Sequence, residues 1–338
     1  MRDLAQGNIL VTGGAGLIGS ALVWELNRSG YRNIFIADRL GKSEKWKNLS
    51  ALRFLDYLEA EELARRMTSS PAMPDGIRTV FHLGACSSTG ETDASYLIRN
   101  NYEYTKMAAA WALAHDARFL YASSAATYGS LEDNLTEERD LDTLRPLNMY
   151  GYSKHRFDCY ARDRGVLPRL TGLKYFNVFG PNEDHKGDMR SVVHKAFHQI
   201  LQTGAVQLFK SYRPEFADGC QRRDFLYVKD AVKMTVHLAQ HEAAGGLYNI
   251  GAGVAHSWLA LAHAIFAAMG RDPKIEFIEM PATLRPKYQY LTRAVMDRFN
   301  ATGYATPIAP LEDAVKDYVQ NYLVPARKLG DEPLQKSS

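Results

Sequence analysis

Cysteine is scarce in this chain: Cys86, Cys159 and Cys220 are the only three, set far apart along 338 residues. Such spacing makes neither a disulfide framework nor a metal knot, and it fits a reducing compartment. The ten histidines fall into no H-x-H or H-E-x-x-H arrangement, so no metal is expected. An excess of one charge is lacking too. Lys and Arg number 41 against 38 Asp and Glu, a net of +3, which offers no basic face to nucleic acid or to an anionic membrane. The most apolar helical stretch, 258–269, is interrupted by His263 and is too short to span a bilayer. The first strand begins within about ten residues of the start, with no apolar signal core before it. The expectation is a cytoplasmic protein acting on a small molecule. Repeats and low-complexity segments are absent as well.

What is present is an ordinary globular composition, 46% hydrophobic, in a chain long enough for two domains or one domain with a lobe. Apolar runs bounded by turn residues predict strands at 8–12, 33–38, 79–83, 119–123 and 170–175. Helical spacing predicts helices at 18–29, 94–115 and 150–164; in the first, Ile18, Leu22, Val23 and Leu26 share a face. This alternation predicts an α/β fold, a doubly wound parallel sheet binding its ligand where the strand order reverses. Beyond residue 176 the pattern loosens. Residues 177–188 read as one long functional loop, 191–203 as a helix, 212–223 as a loop and 225–228 as a strand. A helix at 230–241 and a strand at 247–250 follow, and 325–338 read as a polar, frayed end. The division expected is a dinucleotide-binding Rossmann domain over 1–176, with about 224–252 returning to it. Residues 177–223 and 253–325 would form a smaller C-terminal substrate-binding lobe, followed by a polar tail at 326–338.

Two motifs carry chemistry. Residues 11–19 read V-T-G-G-A-G-L-I-G, placing Gly13, Gly16 and Gly19 between a strand and a helix. Glycines there allow a tight turn and let backbone amides approach a pyrophosphate at the helix N-terminus. Asp38 ends the second strand and suits a ribose hydroxyl, while Arg39, Lys42 and Lys45 suit a 2′-phosphate. NADP is therefore expected, with NAD the alternative. The second motif is Tyr150 with Lys154 four residues on, a spacing that places both side chains on one helix face. An ammonium beside a phenol favours phenolate, which can take a proton from a sugar hydroxyl while hydride leaves the carbon. Ser124, at the end of the fourth strand, is placed to hydrogen-bond that hydroxyl. Tyr152 has no lysine four residues on, and Tyr128 is the other tyrosine near these motifs.

These segments, with R-D-F-L-Y-V-K-D at 223–230 and Y-N-I-G at 248–251, resemble the extended short-chain dehydrogenase/reductase family over nearly the whole chain. The resemblance implies an enzyme with its dinucleotide in the N-terminal domain and a sugar nucleotide under the C-terminal lobe. Finer strings, G-A-C-S-S-T at 84–89, A-S-S-A-A-T-Y-G at 122–129, N-M-Y-G-Y-S-K at 148–154 and H-K-G at 185–187, are similar to members that epimerise an ADP-linked heptose for the lipopolysaccharide inner core. By that resemblance Leu17, Ile18, Asp38, Arg39, Lys45, Leu83, Gly84, Ala85, Cys86, Ser87, Asn100 and Lys154 contact cofactor. Ser124, Asn177, Lys186, Lys195, Phe209, Lys210, Ser211, Tyr212, Arg223 and Tyr288 contact substrate. It also implies a homo-oligomer, in some members a pentamer. The 212–221 loop is longer than in the best-known members, and Asp188 and Lys195 depart from their pattern.

Inverting a carbinol by oxidation and re-reduction needs proton transfer on two faces. Tyr150 serves one, and Lys186 is the candidate for the other. A 4,6-dehydratase would need an acid beside Ser124, where this chain has Ala125 and Ala126. A UDP-hexose 4-epimerase needs only Ser, Tyr and Lys, and makes no use of Lys186. A catalytically inactive dinucleotide-binding regulator has no need to keep the Tyr150–Lys154 pair. Cys86 reads as packed into the cofactor-facing turn rather than as a nucleophile.

Overall fold

A computed structural model describes residues 2–69 and 73–331. Its strands are β1 (Asn8–Thr12), β2 (Ile34–Asp38), β3 (Asp56–Glu59), β4 (Ile77–His82), β5 (Arg118–Ser124), β6 (Leu170–Tyr175), β7 (Asn177–Phe179), β8 (Val206–Phe209), β9 (Arg222–Tyr227), β10 (Gly246–Ile250), β11 (Ala255–Ser257) and β12 (Ile275–Ile278). Its helices are α1 (Leu17–Arg28), α2 (Ala60–Thr68), α3 (Ala94–Leu97), α4 (Tyr104–Ala114), α5 (Met149–Asp163), α6 (Val192–Thr203), α7 (Val228–Gln240), α8 (Trp258–Ala268), α9 (Asp297–Asn300) and α10 (Leu311–Tyr318).

Seven strands form one parallel sheet in the order β10-β6-β5-β4-β1-β2-β3. The order reverses at β1, which lies between β2 and β4, so a crevice opens at the carboxyl ends of β1 and β4. Helices cover both faces, which is why the central strands read as unbroken apolar runs. Ile9, Leu10 and Val11 of β1 are fully buried, and every residue of β6 is buried, Lys174 included. Helices α5, α6 and α8 start on side-chain caps. Asn148 accepts the Gly151 amide at 2.8 Å, Ser191 the His194 amide at 3.2 Å and Ser257 the Ala260 amide at 3.0 Å. Gly204 ends α6 in the left-handed region (φ 75°).

The structure departs from the expected pattern at several places. The helix expected over 94–115 is divided by a π-helical turn, Ile98–Glu103, between α3 and α4. The 177–188 stretch is not one loop. It opens with β7 and closes with a 3₁₀ segment, Asp184–Met189. β7 forms because it pairs with β9, itself paired with β11, in a three-stranded sheet apart from the main one; Phe179 packs 5.5 Å from Tyr227 there. Of the 224–252 stretch, β9 thus belongs to the smaller sheet, while α7 packs on α1 and β10 forms an edge of the large sheet. β8 and β12 make a two-stranded sheet. The end of the chain is not frayed at Leu329, which is fully buried and whose amide donates to Asn182 Oδ1 at 3.0 Å. Residues 332–338 of the expected tail lie outside the described residues. No described helix is long and apolar enough to cross a membrane.

Candidate active site

A cavity of about 640 Å³ occupies the crevice, walled by the glycine turn, the turn after β4, the start of α5 and segments from beyond residue 175. Gly13 sits at φ +69° against the Gly84 backbone, where a Cβ would come within 2.6 Å of the Gly84 nitrogen. A Cβ at Gly19 would collide with the Gly13 carbonyl. At Gly16 a Cβ would meet only that carbonyl, at 3.2 Å, so the turn is open on the cavity side. Gly16 begins α1 without a side-chain cap. The first-turn amides therefore have no intrahelical acceptor and are free for an anion. The residues present fit the pyrophosphate of a dinucleotide.

Gly13, Gly16, Leu17, Ile18, Gly19, Asp38, Lys45, Leu83, Gly84, Ala85, Cys86 and Ser87 all line the cavity. Asp38 is heavily engaged: Oδ2 accepts the Ala15 amide at 2.8 Å, and Oδ1 accepts the Arg39 amide at 2.7 Å and the Lys45 ammonium at 2.6 Å. Arg39 and Asn100, expected on the cofactor, are not part of the cavity wall. They lie 3.5 Å apart, with Arg39 paired to Glu61 at the surface.

Ser124, Tyr150 and Lys154 come together on one wall. Ser124 ends β5 and its hydroxyl accepts the Ala126 amide at 3.1 Å. Tyr150 lies in the first turn of α5 and Lys154 one turn on, where the lysine is almost fully buried. The titration differs from the simple pair picture. Burial pushes the Tyr150 phenol up, opposed by its hydrogen bond with Ser124, while burial holds Lys154 down to about 8. Desolvation is the dominant influence on both groups.

Lys186 reaches the same cavity from the Asp184–Met189 segment, where Gly187 turns the chain at φ +54°. Burial lowers its ammonium pKa, with Glu183 opposing and Lys195 adding to the fall. Asn177 lines the cavity as well. Lys195 does not; its ammonium donates to the Asp188 carbonyl at 2.9 Å. Arg223 is buried, with its guanidinium 5.1 Å from the Tyr288 ring and 5.7 Å from the Trp258 ring. Trp258 donates to the Tyr288 hydroxyl at 2.8 Å and itself forms part of the wall. Arg223 and Tyr288 thus stand behind Trp258.

Phe209, Lys210, Ser211 and Tyr212, expected on the substrate, lie outside the cavity. The long loop after β8 folds back on this run: Ser211 donates its amide to Asp218 at 2.7 Å and Gly219 donates to the Phe209 carbonyl at 3.3 Å. Lys210 and the exposed Tyr212 both engage Glu279, with Arg285 stacked 3.8 Å from the Tyr212 ring centre.

The cavity also holds residues to which the sequence assigned no role in the site, among them Thr89, Met189, Phe225 and Trp258. His185, inside the H-K-G string, is held neutral by burial and by Lys45, its pKa down to about 4. Asn48 was invisible in sequence. It is buried and donates to the Ala15 carbonyl at 2.9 Å and to the Asn182 carbonyl at 3.0 Å, tying the glycine turn to the segment before Lys186. Asp224 within the R-D-F string is structural: it accepts amides of Ala252 (2.7 Å), Gly253 (3.0 Å) and Ala294 (3.0 Å). Among the described residues no three His, Cys, Asp or Glu side chains are grouped to hold a metal.

A glycine turn and a Ser–Tyr–Lys set in one crevice define a nicotinamide-dependent enzyme. The chain belongs to the NAD dependent epimerase/dehydratase family, whose pattern it matches over residues 9–251. Within that family it is similar to proteins named ADP-L-glycero-D-manno-heptose-6-epimerase. It is 47% identical over 322 residues to the one from Nitratidesulfovibrio vulgaris (strain DP4), covering 94% of this chain and 98% of that one. It is 43% identical to the one from Fusobacterium nucleatum subsp. nucleatum, covering 93% and 98%. The crystal structure of the Helicobacter pylori ADP-L-glycero-D-manno-heptose-6-epimerase superposes with a TM-score of 0.78 at 25% identity, covering 95% of this chain and 98% of that one.

Proposed function

We propose that this chain is an epimerase that interconverts ADP-D-glycero-D-manno-heptose and ADP-L-glycero-D-manno-heptose at C6, with NADP as the bound dinucleotide. The observation that carries the reading is the meeting of Ser124, Tyr150 and Lys154 with Lys186, from a distant segment, in one cavity beside the glycine turn. The names of its relatives carry the substrate. A bound nicotinamide dinucleotide supplies reversible hydride acceptance there. Ser124 and Tyr150 hold the C6 hydroxyl, and Tyr150 takes its proton as the carbon is oxidised. Lys154 stabilises the phenolate that does so. Once the ketone has turned its other face, its oxygen needs a second proton donor, and Lys186 fills that role with an ammonium made more acidic by burial.

On the same reading, residues 1–176 with about 224–252 hold the cofactor, and 177–223 with 253–325 hold the sugar nucleotide. Arg223, packed against the wall residue Trp258, is assigned to the diphosphate, because a planar guanidinium fork matches phosphate oxygens. The preference for NADP is supported by Lys45, which already neutralises Asp38, and by Arg39, whose partner Glu61 is exposed and easily given up. A cytoplasmic homo-oligomer serving lipopolysaccharide inner-core synthesis completes the proposal. The test is to incubate the purified protein with ADP-D-glycero-D-manno-heptose and resolve the configuration at C6. Conversion to the L-glycero epimer is the expected outcome. No change at C6 together with turnover of a UDP-hexose at C4 overturns the substrate assignment.

A further inference from the structure

Behind the wall that carries Ser124, Tyr150 and Lys154 lies a charged network with no part in the proton transfers above. Asp158 follows Lys154 by one turn of α5 and is fully buried. Its carboxylate accepts from the Tyr121 hydroxyl at 2.8 Å and the Ser123 hydroxyl at 2.7 Å, both on β5. It also accepts from the Lys174 ammonium on β6 at 3.0 Å, an ion pair with neither side chain exposed. Lys174 donates in addition to the Thr127 hydroxyl at 2.6 Å, and that hydroxyl donates to the backbone carbonyl of Ser124 at 2.7 Å. One ion pair therefore grips Ser124 from two sides, through Ser123 and through Thr127, and is covalently continuous with the helix of Lys154.

Packing does not call for these charges. Taking a carboxylate and an ammonium out of water is costly, and apolar residues of similar volume commonly replace such pairs without loss of stability. Satisfied buried networks do, however, fix geometry, because a shift at any member leaves a charge without its partners. We propose that the Asp158–Lys174 pair is a positioning device for the acid–base residues, holding Ser124 and Lys154 in register with Tyr150. The proposal rests on the roles assigned above to those three residues.

Electrostatics gives the pair a signature that a purely structural role lacks. The groups acting on Lys154 are Asp158 on its own helix and Cys86 in the turn after β4, with the neutral His82 nearby on β4. Asp158 favours the Lys154 ammonium against the burial that holds it down. Without that carboxylate Lys154 loses its proton at lower pH, and the alkaline limb of the kcat profile moves down.

The experiment uses the full chain with its dinucleotide bound. Asp158→Ala alone would strand Lys174 as an unpaired buried charge, so the informative variant is the neutral pair Asp158→Leu with Lys174→Met. Ser123→Ala is its companion, removing one arm while keeping the charges. Activity is expressed per mole of bound dinucleotide, which removes any loss due to unfolding. For the neutral pair we expect kcat to fall by about tenfold or more with KM within about twofold, and the alkaline limb to move down. Ser123→Ala should lower kcat several-fold at unchanged KM, and it decides the matter if the neutral pair does not fold. Wild-type kcat and pH profile in the folded variants overturn the proposal. The wild-type-to-variant ratio is read on whichever nucleotide sugar the wild type turns over, so a wrong substrate assignment shows in the wild type and a wrong positioning role only in the ratio.

Discussion

At the scale of single residues, the contrast between Tyr150 and Lys186 defines the chemistry. Both titrating groups are buried, and burial favours the neutral form of each: it works against the Tyr150 phenolate, which Ser124 opposes by its hydrogen bond, and it makes the Lys186 ammonium a readier donor. A group that gives a proton at one face and a group that takes one at the other are what inversion requires. Tyr150→Phe and Lys186→Met should each lower kcat for epimerisation by about 10²-fold or more, the scale of general acid–base catalysis. Nucleotide extracted from the denatured variants should match the wild type. If Lys186→Met keeps near-normal kcat, the second acid is another group in the cavity. Residue identity made Tyr150, Lys154 and Lys186 legible in sequence, because each stands in a string with a chemical reason. Lys210 and Tyr212 were misplaced because their true partners, Glu279 and Arg285, lie about 70 residues away.

At the scale of elements, legibility followed the strength of local signals. The segments β1, the glycine turn and α1 were readable because a buried strand, a turn that only glycine can make and a one-sided helix agree with each other. β3, β8 and β12 were not. Each has four residues, and β3 and β12 are largely exposed, so little alternation marks them. β7 exists only through its pairing with β9, a partner that no local pattern announces. The tightness of the glycine turn gives its own prediction. A methyl group at Gly19 would strike the Gly13 carbonyl, so Gly19→Ala must open the turn and spoil the approach of the amides to the pyrophosphate. The protein should then purify with far less dinucleotide than wild type. Full retention of nucleotide by a folded Gly19→Ala protein would remove the turn from the cofactor site.

At the scale of the whole molecule, the end of the chain closes back on the site. Asn182, held at φ +75°, donates to Ser20 Oγ on α1 at 3.0 Å, accepts the Leu329 amide at 3.0 Å, and offers its carbonyl to Asn48. Lys328 pairs with Asp184, two residues before Lys186. Three segments far apart in sequence thus converge on the stretch that presents Lys186. Two residues do the fastening, Lys328 through its ammonium and Leu329 through its amide and its buried side chain, and their magnitudes differ. The Lys328–Asp184 pair is partly exposed on the Asp184 side, and such pairs contribute about 1 kcal/mol or less. Leu329 is fully buried, and truncating a buried leucine to alanine costs about 2–5 kcal/mol. Lys328→Ala should therefore leave urea unfolding and kcat nearly unchanged. Leu329→Ala should lower stability by about 2–5 kcal/mol, and it should lower kcat as well, because a chain end that has lost its buried side chain holds its amide less firmly on Asn182, beside the segment carrying Lys186. The two readouts together separate anchoring from bulk stability. If Leu329→Ala is destabilised by that amount but turns over at the wild-type rate, the chain end holds the fold and leaves the presentation of Lys186 to Asn48 and Asn182 alone.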